Sequence, residues 1–419
     1  MNFVLRIFNY RFYVWEFLLI FFLYLLMENI FSWLIVPVSV IVLMYEKVLS
    51  IFVYAYILYK FTSLKMVERV YVTIFTLLMA RLVFESLAKY DSIFQQFTMF
   101  TVLYPVIFVI FIKSMLRSQD FDILEFIAKF HLFTYIIFMA IYGKGFSFSL
   151  DSVDMIDYGP FSGDSRIVHA RSIFVMIIPL LWYLHSYITT RKIKFLIPFL
   201  FVTMVILLHQ HRSVWSSSLV AIFFYLMASL RNKKQTMPKL LTISIGSVVV
   251  LLFVYFFVSN LVPDFLDFMT DRFSEILNPA KEGSTGNFRI EQRETYFKMF
   301  LDRPIFGWTF EGFEMPNPLV DWWPEMSGQH FHEGYMEMLF YHGIVGLVLK
   351  YSFLAYMLVK AFSKKLSIES IILIAFSISG LVFSFNYVLP LIFWGHVGMC
   401  LYYLERKETN NQNVALKTT

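Results

Sequence analysis

The sequence predicts an all-α, polytopic membrane protein of about twelve transmembrane helices, with one large extracytoplasmic loop between the late helices. Three observations predict this. The chain is 58% hydrophobic and only 16% charged, too few charges to cover the surface of a water-soluble protein of 419 residues. Its apolar residues fall in blocks long enough to cross hydrocarbon as helices, such as Val70 to Leu87, Ile123 to Tyr142, Ile167 to Leu184 and Leu240 to Val258. Lys and Arg cluster in every second loop, the pattern expected of cytoplasmic connections.

Residues 13–44 are apolar but interrupted by Glu28 and Asn29. One span is required there if Arg6 and Arg11 are cytoplasmic; a short hairpin is the other reading. Further spans are expected at 48–62, 70–88, 97–114, 122–143, 167–190, 193–210, 213–230, 240–260, 332–362, 367–385 and 386–403. The basic clusters Lys60/Lys65/Arg69, Lys113/Arg117, Arg191/Lys192/Lys194, Arg231/Lys233/Lys234, Lys360/Lys364/Lys365 and Arg406/Lys407 lie between them, on one side. Mid-span regions read as nearly free of charge, with Arg81, Glu85 and Glu125 as the exceptions. The chain thus divides into transmembrane helices over 1–260, a loop subdomain over 261–331, C-terminal helices over 332–405 and a polar cytoplasmic tail over 406–419, expected to be disordered after Glu408. Two segments face outward, about 143–166 and about 261–331. Within the second, Arg289 to Leu301 has helical apolar spacing and follows the turn-forming Ser284-Thr285-Gly286-Asn287.

No small-residue cleavage site follows the first apolar stretch, so the first helix is expected to be retained. The one cysteine, Cys400, excludes an intrachain disulfide and a Cys-based metal site. The net charge of +5 is too modest to indicate nucleic acid.

Three outward features carry candidate chemistry. His209-Gln210-His211-Arg212-Ser213-Val214-Trp215 forms a turn between apolar blocks. A guanidinium there is either ligand-facing or reaching for lipid headgroups. Arg289 and Arg293 share a helix face near a helix start and could clamp a phosphate by forked hydrogen bonds. The alternative is a solvated face paired with Glu291, Glu294 or Asp302. His330-Phe331-His332-Glu333-Gly334-Tyr335 precedes an apolar block. Imidazole suits general-base work, though interfacial histidines are the simpler reading. No cluster completes a metal site. With Arg166, His169 and Arg171 at another outer helix end, cationic side chains gather where the loop-charge trend predicts few. Such a gathering suits an anionic ligand, either the headgroups or a lipid-linked pyrophosphate.

On these residues the chain resembles the bacterial O-antigen ligase and polysaccharide polymerase superfamily. His209 to Trp215 is similar to that family's arginine-bearing outer turn. Ser284 to Arg289 with Arg303-Pro304-Ile305-Phe306-Gly307-Trp308 resembles its second arginine and following Arg-Pro-x-x-Gly segment. His330 to Leu347 is similar to its His-Asn run ahead of Gly-x-x-Gly, here Gly343 and Gly346. The motifs span about residues 205–350, and Glu333 stands where the family usually has Asn. The resemblance implies transfer of a glycan from an undecaprenyl-pyrophosphate carrier to an acceptor hydroxyl at the outer face of the bacterial inner membrane, without metal or cofactor. It implies catalytic roles for His332, Arg212 and Arg289. Arg293, His330, His211, Arg171, Trp308 and Glu333 are the candidates for holding pyrophosphate or sugar, with Trp322, Trp323, Asp321 and Glu325 as further possible sugar contacts. Expected partners are the lipid-linked oligosaccharide, an acceptor glycan or lipid A core, membrane lipids and chain-length regulator proteins. A repeat-unit polymerase is favoured over a ligase because His-x-His-Glu-Gly-Tyr resembles polymerase-like members. A lipid-linked glycan flippase is the rival from another class; it would need charged or broken helices at mid-membrane depth.

Overall fold

The computed structural model describes residues 4–7, 10–13, 30, 34, 39–93, 97–119, 123–142, 168, 170–209, 211–233, 285–311 and 331–418. The expected span at 240–260, the outer segment 143–166, and His330, His169, Arg166, Trp322, Trp323, Asp321 and Glu325 lie outside the described residues.

The chain opens with an antiparallel hairpin that the all-helical expectation did not include. Strands β1 (Val4–Ile7) and β2 (Tyr10–Tyr13) pair with Arg6 opposite Arg11. Their aromatic and aliphatic residues suit a pleated ribbon, and Phe8-Asn9 lies between them in sequence. The remaining elements are helices: α1 (Ser39–Tyr59), α2 (Met66–Tyr90), α3 (Phe97–Gln119), α4 (Leu124–Tyr142), α5 (Ala170–Val175), α6 (Ile177–Thr190), α7 (Ile193–Leu208), α8 (Arg212–Arg231), α9 (Thr285–Asp302), α10 (Gly334–Ala361), α11 (Ile368–Phe383) and α12 (Leu391–Thr418). Most boundaries fall within a few residues of those expected. α1 starts nine residues earlier than expected, because Glu46 and Lys47 are charged without being helix breakers. α12 runs through the tail that was expected to be disordered.

Among the described residues, five helical stretches are long and apolar enough to cross a membrane: Met66–Tyr90, Leu124–Ile141, Ala170–Thr190, Arg212–Arg231 and Gly334–Ala361. Shorter apolar helices accompany them at Val48–Tyr59, Ile193–Leu208 and Ile368–Phe383. The protein is therefore a helical membrane protein. Phe84, 71% exposed, and Leu77, 65% exposed, lie on the outside of α2, as lipid-facing side chains do. In lipid, helices associate through close packing and polar contacts rather than water exclusion. Phe174 accordingly stacks 4.2 Å from Phe383 and 5.1 Å from Phe376. Polar pairs also tie the helices: buried His131 Nε2 lies 3.4 Å from His396 Nε2, buried His209 Nε2 lies 2.8 Å from the Tyr135 hydroxyl, and half-buried His185 Nδ1 lies 2.9 Å from the Tyr225 hydroxyl.

Helix ends sort into two faces. At one face, Lys113 bridges Glu68 at 2.6 Å and also pairs with Glu405. Arg117 reaches the same two carboxylates at 2.9 and 3.1 Å, and Lys65 joins Glu405 at 3.0 Å. Basic residues of two of the expected cytoplasmic clusters are thus brought together around two acids. At the end of α8, Asn232 Oδ1 accepts from the Leu366 N–H at 2.6 Å, so α8 ends beside the α10–α11 turn. α8 is 20 residues long, or about 30 Å at 1.5 Å per residue. Its first residue, Arg212, therefore lies at the other face, with the start of α10 and the end of α11.

Candidate functional site

Helix α9 carries the second arginine and packs against α10. Its residues Arg289, Gln292, Arg293 and Tyr296 recur at three- and four-residue spacing, so they share one face. Arg289 Nη1 lies 3.5 Å from Asn386 Oδ1, and its guanidinium sits 5.2 Å from the Tyr387 ring centroid, just past the end of α11. The Gln292 side-chain oxygen accepts from the His332 backbone N–H at 3.3 Å. Arg293 Nε donates to both Glu333 carboxylate oxygens, at 3.1 and 2.9 Å, and its Nη2 donates to Oε1. That fork, outweighing partial burial, raises the affinity of the Arg293 guanidinium for its proton. Tyr296 packs 4.4 Å from Phe331 and 4.9 Å from Phe340, and burial pushes its phenol up to about 12.

The His332-Glu333 dipeptide is therefore held from α9 on two consecutive residues. It is also held from α11, since the next N–H, on Gly334, donates to Ser384 O at 2.9 Å. His332 is half-buried and Glu333 is only 3% exposed. An open groove of about 420 Å³ lies beside them, lined by Arg293, Glu294, Phe297, Glu333, Tyr335 and Phe385 among others.

The segment after α9 explains the Arg-Pro-x-x-Gly and Gly-x-x-Gly spacings. α10 breaks at Gly343, where φ is 60° and ψ −157°, a region open essentially to glycine alone. A break in a helix leaves N–H groups bare on one side and C=O groups bare on the other. Residues 304–309 satisfy both. Pro304 O accepts from Ile344 N–H at 2.9 Å and Ile305 O from Val345 N–H at 3.1 Å, while Trp308 N–H donates to Phe340 O at 2.8 Å. The Thr309 hydroxyl donates to Tyr341 O. Gly307, at φ 68°, meets Gly343 with no room for a side chain on either. From the other flank, Lys89 Nζ donates to Phe310 O at 2.7 Å and the Arg81 guanidinium lies 4.0 Å from the Phe310 ring centroid. The two motifs are a single interlock that fixes the upper half of α10, and with it His332.

The bend also brings Glu337 and Lys350 to 3.9 Å, although 13 helical residues would otherwise separate them by about 20 Å. This corrects the expectation of nearly charge-free mid-span regions. Lys350 Nζ also donates to Val102 O at 3.1 Å. Arg171, in the first turn of α5, couples electrostatically to both charges. It is thus drawn to the start of α10, whereas the sequence had grouped it only by helix end.

In the first motif, the aromatic residues secure the turn. His211 Nε2 donates to Val168 O at 3.0 Å, its ring stacks parallel to His209, and Trp215 Nε1 donates to Ile206 O at 2.9 Å. His211 is buried, and half-buried Arg212 follows it at the helix start. Trp308 stacks on Phe340 at 6.3 Å and donates to Met299 O at 3.0 Å. Its indole is engaged in the packing between α9 and α10. Gln292, Asn386 and Tyr387 escaped the sequence reading. Gln292 was legible only as a neighbour of Arg293 on a helix face, and the other two lie in a turn read only as a boundary.

No curated protein matches the chain significantly. The family model described as O-antigen ligase matches residues 197–351, which contain α8, α9, the interlock and α10 up to Tyr351. That match supports the resemblance to O-antigen ligases over the stretch that holds all three motifs.

Proposed function

We propose that the protein is a repeat-unit polymerase that transfers a growing glycan from an undecaprenyl-pyrophosphate carrier to a hydroxyl of another lipid-linked unit, at the outer face of the bacterial inner membrane. The match of residues 197–351 to a family described as O-antigen ligase supports a membrane enzyme of glycan transfer. The observation that carries the reading to these residues is α9 itself: one helix face bears Arg289 beside the end of α11 and holds the His332-Glu333 dipeptide, on the face where Arg212 begins α8.

In this reading the acceptor hydroxyl attacks the anomeric carbon and the bond from that carbon to the pyrophosphate oxygen breaks. The electron pair leaves with the pyrophosphate, and His332 takes the hydroxyl proton. Arg212 and Arg289 meet the charge that grows on the leaving group, and each 1.36 kcal/mol of preferential stabilisation is about tenfold in rate. Arginine suits this because it stays charged and binds phosphate through a planar fork. The chemistry requires no metal, since guanidiniums neutralise the leaving group. Polymerase is preferred to ligase on the His330-x-His332-Glu333-Gly334-Tyr335 run.

A flippase would need a broken, charged helix, and α10 is both. The break does not favour a carrier, because Pro304 and Ile305 carbonyls and the Trp308 N–H occupy the backbone groups that would bind cargo or ions.

The test is purified protein with lipid-linked repeat units, alone and with lipid A core as a second acceptor. Longer lipid-linked chains with released undecaprenyl pyrophosphate are expected. Arg212→Ala, Arg289→Ala and His332→Ala should each stop product formation while the folded protein remains. Product on lipid A core alone would assign a ligase, and three fully active variants would overturn the site.

A further inference from the structure

We infer that Arg293 and Glu333 are positioning residues for His332 rather than substrate ligands, and that α9 aligns the site by gripping the His332-Glu333 dipeptide. The inference rests on the proposed role of His332. Its grounds are geometric. Glu333 stands where the family resemblance would place Asn, and its side chain is only 4% exposed. A buried carboxylate without a cation is strongly disfavoured. Arg293, from the helix before it, supplies the cation through three donor contacts and spends the fork that could otherwise clamp a phosphate. One residue earlier on each segment, Gln292 accepts the His332 N–H. Two adjacent α9 residues thus bind two adjacent residues of the dipeptide, one through backbone and one through side chain. This sets both the position of the His332 backbone and the rotation of the segment about its axis. The following N–H, on Gly334, is anchored to Ser384 O, so the dipeptide is held between α9 and α11. Arg289 lies on the same α9 face one turn earlier. A movement of α9 would therefore shift the donor-side arginine and the candidate base together.

The experiment compares Arg293→Gln, Glu333→Gln, the double variant and the exchanged pair Arg293→Glu/Glu333→Arg in full-length protein. Each single variant should lose tenfold or more in kcat with KM for the lipid-linked donor changed less than threefold. A phosphate ligand would instead raise KM. The double Gln variant should be no worse than the poorer single, because both remove one interaction. Hydrogen–deuterium exchange over residues 331–337 should accelerate in both single variants and stay unchanged over 368–380. That readout needs no turnover, so an inactive wild type would overturn the polymerase reading while still testing the grip. Additive losses, a KM effect without a kcat effect, or unchanged exchange over 331–337 would overturn the inference.

Discussion

Replacing Gly343 by Ala tests whether the interlock holds the upper half of α10. A Cβ there would stand 2.5 Å from both C and O of Ile305 and 2.7 Å from Gly307 N. Ordinary carbon contacts begin near 3.5 Å, so the docked segment must withdraw by roughly 1 Å. Bonds of 2.8, 2.9 and 3.1 Å between the segment and α10 would then stretch past about 3.8 Å, outside hydrogen-bonding range. Each orphaned buried group costs about 1 kcal/mol or more. Holding Ala at φ 60°, ψ −157° adds about 1–3 kcal/mol of backbone strain. The sum is about 4–6 kcal/mol, a large share of the roughly 5–15 kcal/mol that holds a typical domain folded. The assay is thermal unfolding in detergent, followed by tryptophan fluorescence, with Gly395→Ala as comparison. At Gly395 the nearest obstacle is a ring-edge atom of Phe108 at 3.0 Å, a side chain able to shift. Gly343→Ala should melt far below Gly395→Ala, and Gly307→Ala should add little to it because both methyls compete for one gap. A Gly343→Ala protein as stable as Gly395→Ala would refute the interlock.

Two further outcomes are expected. Burial pushes the Glu405 carboxyl up, but its pairing with Lys113, Lys65 and Arg117 outweighs that and leaves it below the usual range. A depressed folded value adds stability above the unfolded carboxylate range and loses it as pH falls through the folded value, so acid should destabilise the parent more steeply than Glu405→Gln; equal slopes would show that the network does not contribute. Because Cys400 is buried, single cysteines report sidedness: Pro316→Cys should react with an impermeant thiol reagent from the periplasmic side and Lys233→Cys only after the membrane is opened. The reverse pattern would invert the proposed topology.

How much of the site was legible varied with the physics of each residue. Arg289 and Arg293 could be placed on one helix face because helical spacing is local. Their fates diverged for a non-local reason. Arg293 is opposite an acid 40 positions away in the chain, while Arg289 meets a turn beyond α11. His211 and Trp308 looked available because aromatic and imidazole groups do suit ligands. Their engagement with Val168 O, Met299 O and Phe340 depends on which helices meet. Lys350 was overlooked because a lone charge inside an apolar run has no visible partner until α10 bends Glu337 toward it.

The sequence by itself determined that the chain is a helical membrane protein, where most helices begin and end, and which residue types could handle a pyrophosphate. These follow from hydrophobic run length and loop charge, which act over a few tens of residues and need no knowledge of neighbours. Only the tertiary structure decided that the two glycine motifs are halves of one backbone interlock, that α10 is broken, and that Arg293 pairs with Glu333. Those outcomes depend on backbone groups and charges far apart in the chain that must find partners where water is scarce, and the partner is known only once the helices are packed.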